Sequence, residues 1–242
     1  MDNQGTLATT PAPAWSISAT HHRLVTVATV LLTIVTTQSD FARAADPLPR
    51  ALIIGDSIYN TPSRMAKDEL KGKVEVVWQN NVSTFHTGTA LQKIDELLGE
   101  KKWDLIHFNF GFNDLMYKDP RTKSIRAMSK EAGGVRVSSP QVYEKNLREL
   151  VKRFKATGAK LVWASTTPIQ ADYNGVLDAS SEIEYNQIAA KIMKENDIRI
   201  NDMHAYISAS EVAKKDKKPL SFNRYPIHPP IVRNIRVELN LN

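Results

Sequence analysis

The stretch that decides the fold is residues 51–57, which read Ala-Leu-Ile-Ile-Gly-Asp-Ser. Four apolar residues followed by a glycine predict a buried strand that ends sharply and leaves Asp56 and Ser57 just beyond its carboxyl end. In open α/β sheets, ligands bind at that edge. The stretch therefore predicts a parallel sheet and also the place of a functional site within it.

Apolar runs with strand character alternate with amphipathic helical segments along the rest of the chain. The clearest helix begins at Ser139-Pro140, a cap residue followed by proline at the first helical position, and ends at Gly158. The alternation is typical of a parallel sheet covered on both faces by helices. We predict strands at 50–55, 73–78, 103–110, 159–165 and 197–200, and helices near 63–71, 88–98, 140–156, 181–195, 201–213 and 229–240.

The first 44 residues have the features of an export signal. Residues 24–35 form an apolar stretch that is preceded by His21, His22 and Arg23 and followed by a small-x-small sequence, Ala42-Arg43-Ala44. Twelve helical residues rise only about 18 Å, too little to cross a bilayer core of about 30 Å. We predict a signal peptide at 1–44 and a mature domain at 45–242 that is periplasmic or secreted, without stable membrane insertion. An uncleaved membrane anchor is the alternative.

Composition excludes several classes of site. The chain has no cysteine, which excludes disulfides, thiolate catalysis and cysteine-ligated zinc. A formal charge of +6 would suit a nucleic-acid-binding protein, but there is no aromatic–basic interleaving, zinc finger or helix-turn-helix pattern. We therefore expect neither a nucleic-acid partner nor a metal, and the charge favours an anionic substrate or surface.

A basic insertion at 116–137 interrupts the alternation of strands and helices. It is long for a connection in such a fold and carries a local net charge of +4. It is either a solvated loop or a lid that attracts a negatively charged substrate. Under the second interpretation, Arg121 and Arg126 bind substrate.

Three segments supply groups suited to attack on a carbonyl carbon. Ser57 offers a hydroxyl nucleophile, although it could instead merely cap the next helix. Asn113 follows the third strand, so a parallel topology places it at the same edge, where its amide can donate to an oxygen that becomes negative; an asparagine there is otherwise a turn former. Gly88 opens the second helix and can supply a backbone N–H to that oxygen, a role for which Asn80 and Asn81 are alternatives.

Among the six histidines, His228 is the best candidate for a general base. It lies in a loop punctuated by prolines, whose stiffness could hold the imidazole in place, and histidine has a pKa near working pH without perturbation. His107 falls inside a predicted strand and is expected to be a hydrogen-bonded core residue. His86 and His204 lack supporting context, although His86 is close enough in sequence to Gly88 to border the pocket.

Three motifs together resemble the GDSL-like, or SGNH, hydrolase family: Gly55-Asp56-Ser57, Gly111-Phe112-Asn113-Asp114 and His228-Pro229. They occur in the family's order and cover essentially the whole mature chain. The resemblance implies a flavodoxin-like, three-layer α/β/α sandwich with a five-stranded parallel sheet and no cofactor. It also implies that Ser57 is the nucleophile and His228 the base, with an oxyanion hole made by the Ser57 N–H, the Gly88 N–H and the Asn113 side chain. We assign Asp56 and Asp114, which adjoin these groups, to substrate binding.

One position departs from the family. The family usually has an aspartate three residues before the histidine, where it orients the ring, and here that position is Tyr225. Loss of such a carboxylate in other serine hydrolases lowers kcat about 10⁴-fold. Three interpretations stay open: a Ser–His dyad steadied by a backbone carbonyl, a carboxylate recruited from elsewhere such as Asp216, or an impaired enzyme.

The sequence therefore favours an exported serine esterase that hydrolyses an acyl ester, for example an acetyl group on an extracellular or envelope carbohydrate. Two other functions are compatible with the chain. One is a non-catalytic or impaired relative that binds glycans, which Tyr225 favours. The other is a flavodoxin-like domain for a phosphate or nucleotide, which the absence of a glycine-rich phosphate motif after a strand disfavours.

Overall fold

The structure is a computed structural model that describes residues 46–79, 86–122, 126–210 and 225–241. All of them belong to one unit, Asp46–Asn242. The predicted signal peptide at 1–44 lies outside the described residues, as do Asn80, Asn81 and Asp216.

Five parallel strands form the central sheet, in the order β2-β1-β3-β6-β7. Ile54 at the end of β1 pairs with Phe108 at the end of β3, so the residues that follow the two strands leave the sheet at one edge. The sheet strands are β1 (Arg50–Ile54), β2 (Glu75–Trp78), β3 (Leu105–Phe108), β6 (Lys160–Ala164) and β7 (Arg199–Asn201), while β4 (Tyr117–Lys118) and β5 (Val135–Arg136) form a separate antiparallel pair.

Helices cover both faces of the sheet. They are α1 (Asn60–Glu69), α2 (Thr87–Gln92), α3 (Ile94–Leu98), α4 (Phe112–Leu115), α5 (Pro140–Ala156), α6 (Glu182–Glu195), α7 (Met203–Ala209) and α8 (His228–Glu238). The apolar residues of α2, α3, α5 and α6 pack in one core, and those of α1, α7 and α8 pack in another. This arrangement confirms the predicted three-layer α/β/α sandwich. None of the described helices is long and apolar enough to span a membrane.

The sequence of β1 explains why both faces of the sheet are buried. Its side chains alternate between the two faces, as in any strand. Leu52 and Ile54 lie in the core with α5 and α6, whereas Ala51 and Ile53 lie in the core with α1 and α8. A continuous apolar run is therefore what a central parallel strand requires.

Some element boundaries differ from those predicted. Helix α1 begins at Asn60 rather than at 63, because Pro62 fits in a first turn whose N–H groups have no helical acceptor. The helix predicted at 88–98 is two helices, α2 and α3, that meet at Lys93. His228 was expected in a stiff loop but is the first residue of α8, with two prolines following it in the first turn.

The insertion at 116–137 has structure of its own within the described residues. The backbone of Tyr117 donates to the Val176 carbonyl at 2.9 Å, and that of Lys130 donates to the Gly175 carbonyl at 2.9 Å. The Asp178 carboxylate accepts hydrogen bonds from the side chains of Lys130 (2.6 Å), Tyr117 (2.8 Å) and Arg136 (2.5 Å). Asp178, a carboxylate outside the insertion, therefore offsets one of the insertion's positive charges and holds the insertion against the segment at 175–178.

Candidate functional site

Ser57 lies exposed immediately after the buried end of β1 and begins a short 3-10 turn. The turn is capped by Asp56, whose side chain accepts a hydrogen bond from the Ile58 N–H at 2.8 Å. Within the described residues, the hydroxyl and the N–H of Ser57 have no hydrogen-bond partner. Both groups are thus available to a ligand at this edge.

Asp56 itself is buried. Burial raises its pKa to about 6, and the hydrogen bond from the Ile58 N–H opposes that rise. Its carboxylate serves the local turn in this structure. The substrate-binding role assigned to Asp56 stays a prediction.

The second motif holds Asn113 at the same edge, after β3. Gly111 has a φ of 155°, and a Cβ atom there would lie 2.2 Å from Thr166 Oγ1, so only glycine fits. Just upstream, the Asn109 side chain donates to the Ala164 carbonyl at 2.8 Å, which joins the ends of β3 and β6. Asn113 follows on a short helix, α4, and is almost fully buried.

Asp114 connects the segments that carry the candidate groups. Its carboxylate accepts hydrogen bonds from the Thr87 N–H at 3.1 Å, the Thr87 hydroxyl at 2.6 Å and the Ser138 hydroxyl at 2.6 Å. Burial nevertheless raises its pKa to about 6, although these hydrogen bonds and nearby Lys118 oppose the rise. Because Thr87 precedes Gly88 and Asp114 follows Asn113, the carboxylate brings the two predicted oxyanion donors to one region. Its oxygens are used inside the protein, and binding of substrate by Asp114 stays a prediction.

The Gly88 N–H is engaged in this structure. It donates to His86 Nδ1 at 3.1 Å, and the His86 N–H donates to Thr89 Oγ1 at 3.1 Å, which together form a capping box at the start of α2. Burial, and secondarily Lys118, lower the pKa of His86, so the imidazole is neutral at pH 7 and carries its proton on Nε2. Gly88 would have to release His86 before its N–H could stabilise an oxyanion.

Among the described residues, no hydrogen bond or ion pair joins His228 to Ser57, and their pairing stays a prediction. The His228 ring lies at the far end of α1, where Nε2 is 2.9 Å from Glu69 Oε2 without forming a hydrogen bond of acceptable angle. At about 1.5 Å per residue, Glu69 is about 13 Å along the helix from Asn60, the residue near Ser57. In this conformation the His228 ring contacts Glu69, and its role as the base stays a prediction.

Tyr225, at the position of the family's aspartate, faces inward. Its hydroxyl donates to the Pro168 carbonyl at 2.8 Å. Burial, with a smaller contribution from Glu182, raises its pKa to about 12. The phenol therefore cannot replace the missing carboxylate, and within the described residues the carboxylate in contact with His228 is that of Glu69.

Arg121 and Arg126 lie on the insertion and are exposed. Arg121 forms an ion pair with Asp119 at 2.9 Å, and the Arg121 side chain is 78% exposed. Neither arginine has a hydrogen bond or an ion pair to Ser57 or Asn113 among the described residues. Their role in binding substrate stays a prediction.

No metal site is evident in the described part of the chain. There, no group of three or more histidine, aspartate or glutamate side chains could hold an ion. His107 lies fully buried in β3, where Nε2 is 3.1 Å from the Asn201 side-chain nitrogen and burial lowers its pKa to about 4. It is a neutral core residue, as its position in the sequence predicts.

Sequence reasoning missed four residues that shape the site: Thr87, Ser138, Lys118 and Glu69. Thr87 could have been found, because it stands beside Gly88 in Thr-Gly-Thr, a sequence suited to a helix start. Ser138 and Glu69 act through residues distant in sequence, and no local pattern marks them. Lys118 was counted as part of a basic loop but is buried near Asp114.

Three solved structures with a similar fold are described as enzymes. LAE5, described as an α/β hydrolase enzyme from the metagenome of Lake Arreo, is 16% identical, with a TM-score of 0.57 over 80% of this chain and 96% of that one. A lipase/acylhydrolase from Enterococcus faecalis is 12% identical, with a TM-score of 0.55 over 78% and 96%. A catalytic mutant of Axe2, an acetylxylan esterase from Geobacillus stearothermophilus, is 18% identical, with a TM-score of 0.56 over 80% and 95%. At these identities the similarity shows the fold alone.

Sequence comparison is more specific. A search of curated proteins gives no significant match. The family model of the GDSL-like lipase/acylhydrolases, however, matches residues 53–229, which include all three motifs. The chain therefore belongs to the GDSL-like lipase/acylhydrolase family, whose members hydrolyse esters.

Proposed function

We propose that this protein hydrolyses an acyl ester on a carbohydrate, acetyl being the favoured acyl group, with Ser57 as the nucleophile. The observation that carries the proposal is the exposed Ser57 hydroxyl at the carboxyl end of β1, with Asn113 held at the same edge after β3. Membership of an acylhydrolase family supports ester chemistry. A structural neighbour described as an acetylxylan esterase supports the choice of acyl group and alcohol.

The reaction would proceed by acyl transfer. The Ser57 hydroxyl loses its proton to a base and attacks the carbonyl carbon, and the resulting oxyanion accepts hydrogen bonds from the Ser57 N–H and the Asn113 amide. The Gly88 N–H joins them once it leaves His86. The intermediate then expels the alcohol, which takes the proton from the base, and water releases the acid from Ser57 by the same steps.

We assign the base to His228, which requires a conformational change. The imidazole must leave Glu69 and approach Ser57 before it can accept the proton. The change would involve the first turn of α8, where His228 lies.

The position of His228 also favours a second candidate function. A relative that binds glycans with little or no turnover would need the pocket but not a base beside Ser57. The contact between His228 and Glu69, together with Tyr225 in place of an aspartate, is the observation that supports it.

Hydrolysis of p-nitrophenyl acetate separates the two functions. Wild type is compared with Ser57→Ala and His228→Ala, and Ser208→Ala, an exposed serine on α7, is the matched control. Loss of turnover in both variants but not in the control supports the Ser–His esterase. Equal turnover in all four proteins rejects it and leaves the binding function.

Two further variants test the roles of Asn113 and Glu69 in the reaction. Asn113→Ala should lower kcat about 10²- to 10³-fold if the side chain stabilises the oxyanion. Glu69→Ala should raise kcat if Glu69 holds His228 away from Ser57, and should lower it if Glu69 orients the ring of an active base. An unchanged kcat in Glu69→Ala would mean that the contact has no part in the reaction.

We also propose that the protein is exported and acts on an anionic polymer. Arg126, which is exposed, would supply positive charge on the insertion. Arg121 would add to it, because its side chain stays exposed although it pairs with Asp119. Reversal of both charges to glutamate should raise KM for acetylated uronic-acid polymers far more than for neutral ones, and equal effects would reject the role. N-terminal sequencing of protein recovered from the periplasm or medium tests removal of residues 1–44.

A further inference from the structure

A cavity of about 410 Å³ lies between α6 and the edge strand β7, apart from the site around Ser57. Ser57 follows β1, and β3 and β6 lie between that strand and β7. Neighbouring strands are about 4.8 Å apart, so the cavity is about 14 Å across the sheet from β1. It is lined by Trp163, Ser165, Ile183, Asn186, Gln187, Ala190, Lys194, Ile200, Asp202 and His204.

One lining residue has an unmet hydrogen bond. Trp163 is 1% exposed, and its indole Nε1 has no hydrogen-bond partner among the described residues. A buried N–H without an acceptor costs the folded protein about 1 to 3 kcal/mol. Nε1 has almost no accessible surface, so a bound molecule would not reach it, but the indole lines the cavity and its N–H resonance can report on binding there.

Other polar groups around the cavity are held in place. His204 Nε2 is 3.0 Å from an oxygen of Glu182, a carboxylate that is 2% exposed, and donates its N–H to that oxygen. The Ser165 hydroxyl donates to Asp202 at 3.1 Å and accepts from the His204 N–H at 2.8 Å. These bonds fix both ends of the segment that joins β7 to α7, as a binding site requires.

The charges around the cavity decide which ligand it suits. Asp202 is exposed and lies near the start of α7, while Lys194 lies toward the end of α6 and has no ion pair in the described part of the chain. A monoanion drawn to Lys194 would be repelled by Asp202. A monocation drawn to Asp202 would be repelled by Lys194. Hydroxyl groups both donate and accept, so they satisfy both residues.

The apolar part of the lining fits the same class of ligand. Ile183, Ala190 and Ile200 supply aliphatic surface between the polar groups. A sugar ring has a C–H face to set against them and hydroxyls at its rim. A volume of about 410 Å³ lies within the range of small-molecule sites, about 300 to 1,000 Å³.

We propose that this cavity is a second binding site, which takes an uncharged sugar unit. It does not depend on turnover at Ser57, and it can be tested in the Ser57→Ala protein. A failure of the esterase proposal therefore leaves it standing, and its own failure leaves the esterase standing.

The experiment follows the indole N–H resonance of Trp163 by NMR while Ser57→Ala protein is titrated with xylotriose. Trp163→Phe identifies the resonance. Tri-galacturonic acid and chitosan trimer, which carry negative and positive charge, are titrated in parallel. We expect a saturable shift of the Trp163 resonance with xylotriose and affinity at least about tenfold weaker for both charged trimers.

Variants locate the binding. Gln187→Ala, at an exposed lining position, and Ala190→Trp, which fills the cavity, should each weaken xylotriose binding by about tenfold or more. Lys191→Ala, on the same helix but outside the lining, is the control and should bind as before. The proposal is overturned if the Trp163 resonance does not shift at millimolar xylotriose, if a charged trimer binds more tightly, or if both lining variants bind like the control.

Discussion

Replacement of Asp114 by asparagine should change how stability depends on pH. The carboxyl is fully buried, and its pKa rises from 3.8 to about 6 on folding, chiefly through burial. Below pH 4 the group is protonated in both states. Between pH 4 and pH 6 the unfolded chain ionises it while the folded protein keeps the proton, so the free energy of unfolding falls as pH rises. At about 1.4 kcal/mol per pH unit, the loss is about 3 kcal/mol by pH 7.

The asparagine variant cannot ionise and should not show this loss. Its amide oxygen can accept from Thr87 and Ser138 in the place of Oδ1, but its NH₂ group replaces Oδ2 and meets the Thr87 N–H, at a cost of about 1 to 3 kcal/mol at any pH. The free energy of unfolding of the variant, measured relative to that of wild type, should therefore rise by about 3 kcal/mol between pH 4 and pH 7. Asp56, whose pKa is also raised to about 6, is present in both proteins and cancels from the comparison.

Urea unfolding followed by circular dichroism, at half-unit steps from pH 4 to pH 7.5, measures this difference. Asp68→Asn, at an exposed position of α1, is the matched control and should parallel wild type. A wild-type–variant difference that is constant with pH would refute the raised pKa of Asp114. A difference that moves in favour of wild type as pH rises would mean that the hydrogen bonds from Thr87 and Ser138 outweigh burial.

Three further predictions concern the stability of the fold and of the insertion. Gly111→Ala should lower the free energy of unfolding in urea by about 1 to 3 kcal/mol or more, because its Cβ would clash with the Thr166 hydroxyl. Gly133→Ala, also at positive φ but in open space, should lower it less. Phe154→Ala, in the core beneath α5, should cost about 3 to 5 kcal/mol, and a loss under 1 kcal/mol would contradict its burial. Arg136→Ala should speed amide exchange at 126–138, because its ion pair with Asp178 holds the insertion, while global stability changes by at most about 1 kcal/mol; unchanged exchange would show that the backbone hydrogen bonds suffice.

Local chemistry explains why much of the fold could be predicted. Residues 51–57 contain the strand, its glycine exit and the exposed serine within seven consecutive residues, and strand periodicity and burial act at that range. Helix α5 was predicted at its observed bounds, because Ser139, Pro140 and the glycine that follows the helix define its ends locally. The family followed from three short motifs in order, and the family model confirms it.

Tertiary structure alone decided how the site residues meet. The contacts of Asp114 with Thr87 and Ser138 join segments that are distant in sequence, and sequence patterns carry no signal for such pairs. The same is true of the cavity beside β7, whose lining comes from β6, α6, β7 and the start of α7.

His228 shows the division most clearly. Its sequence identifies a histidine with an unperturbed pKa near neutrality, followed by two prolines, and these properties depend on the residues themselves. Where the ring points depends on how α8 packs against α1, and that packing sets it beside Glu69. The amino acids near a position determine its chemistry and its backbone conformation, whereas the distance between two side chains depends on the packing of the whole chain.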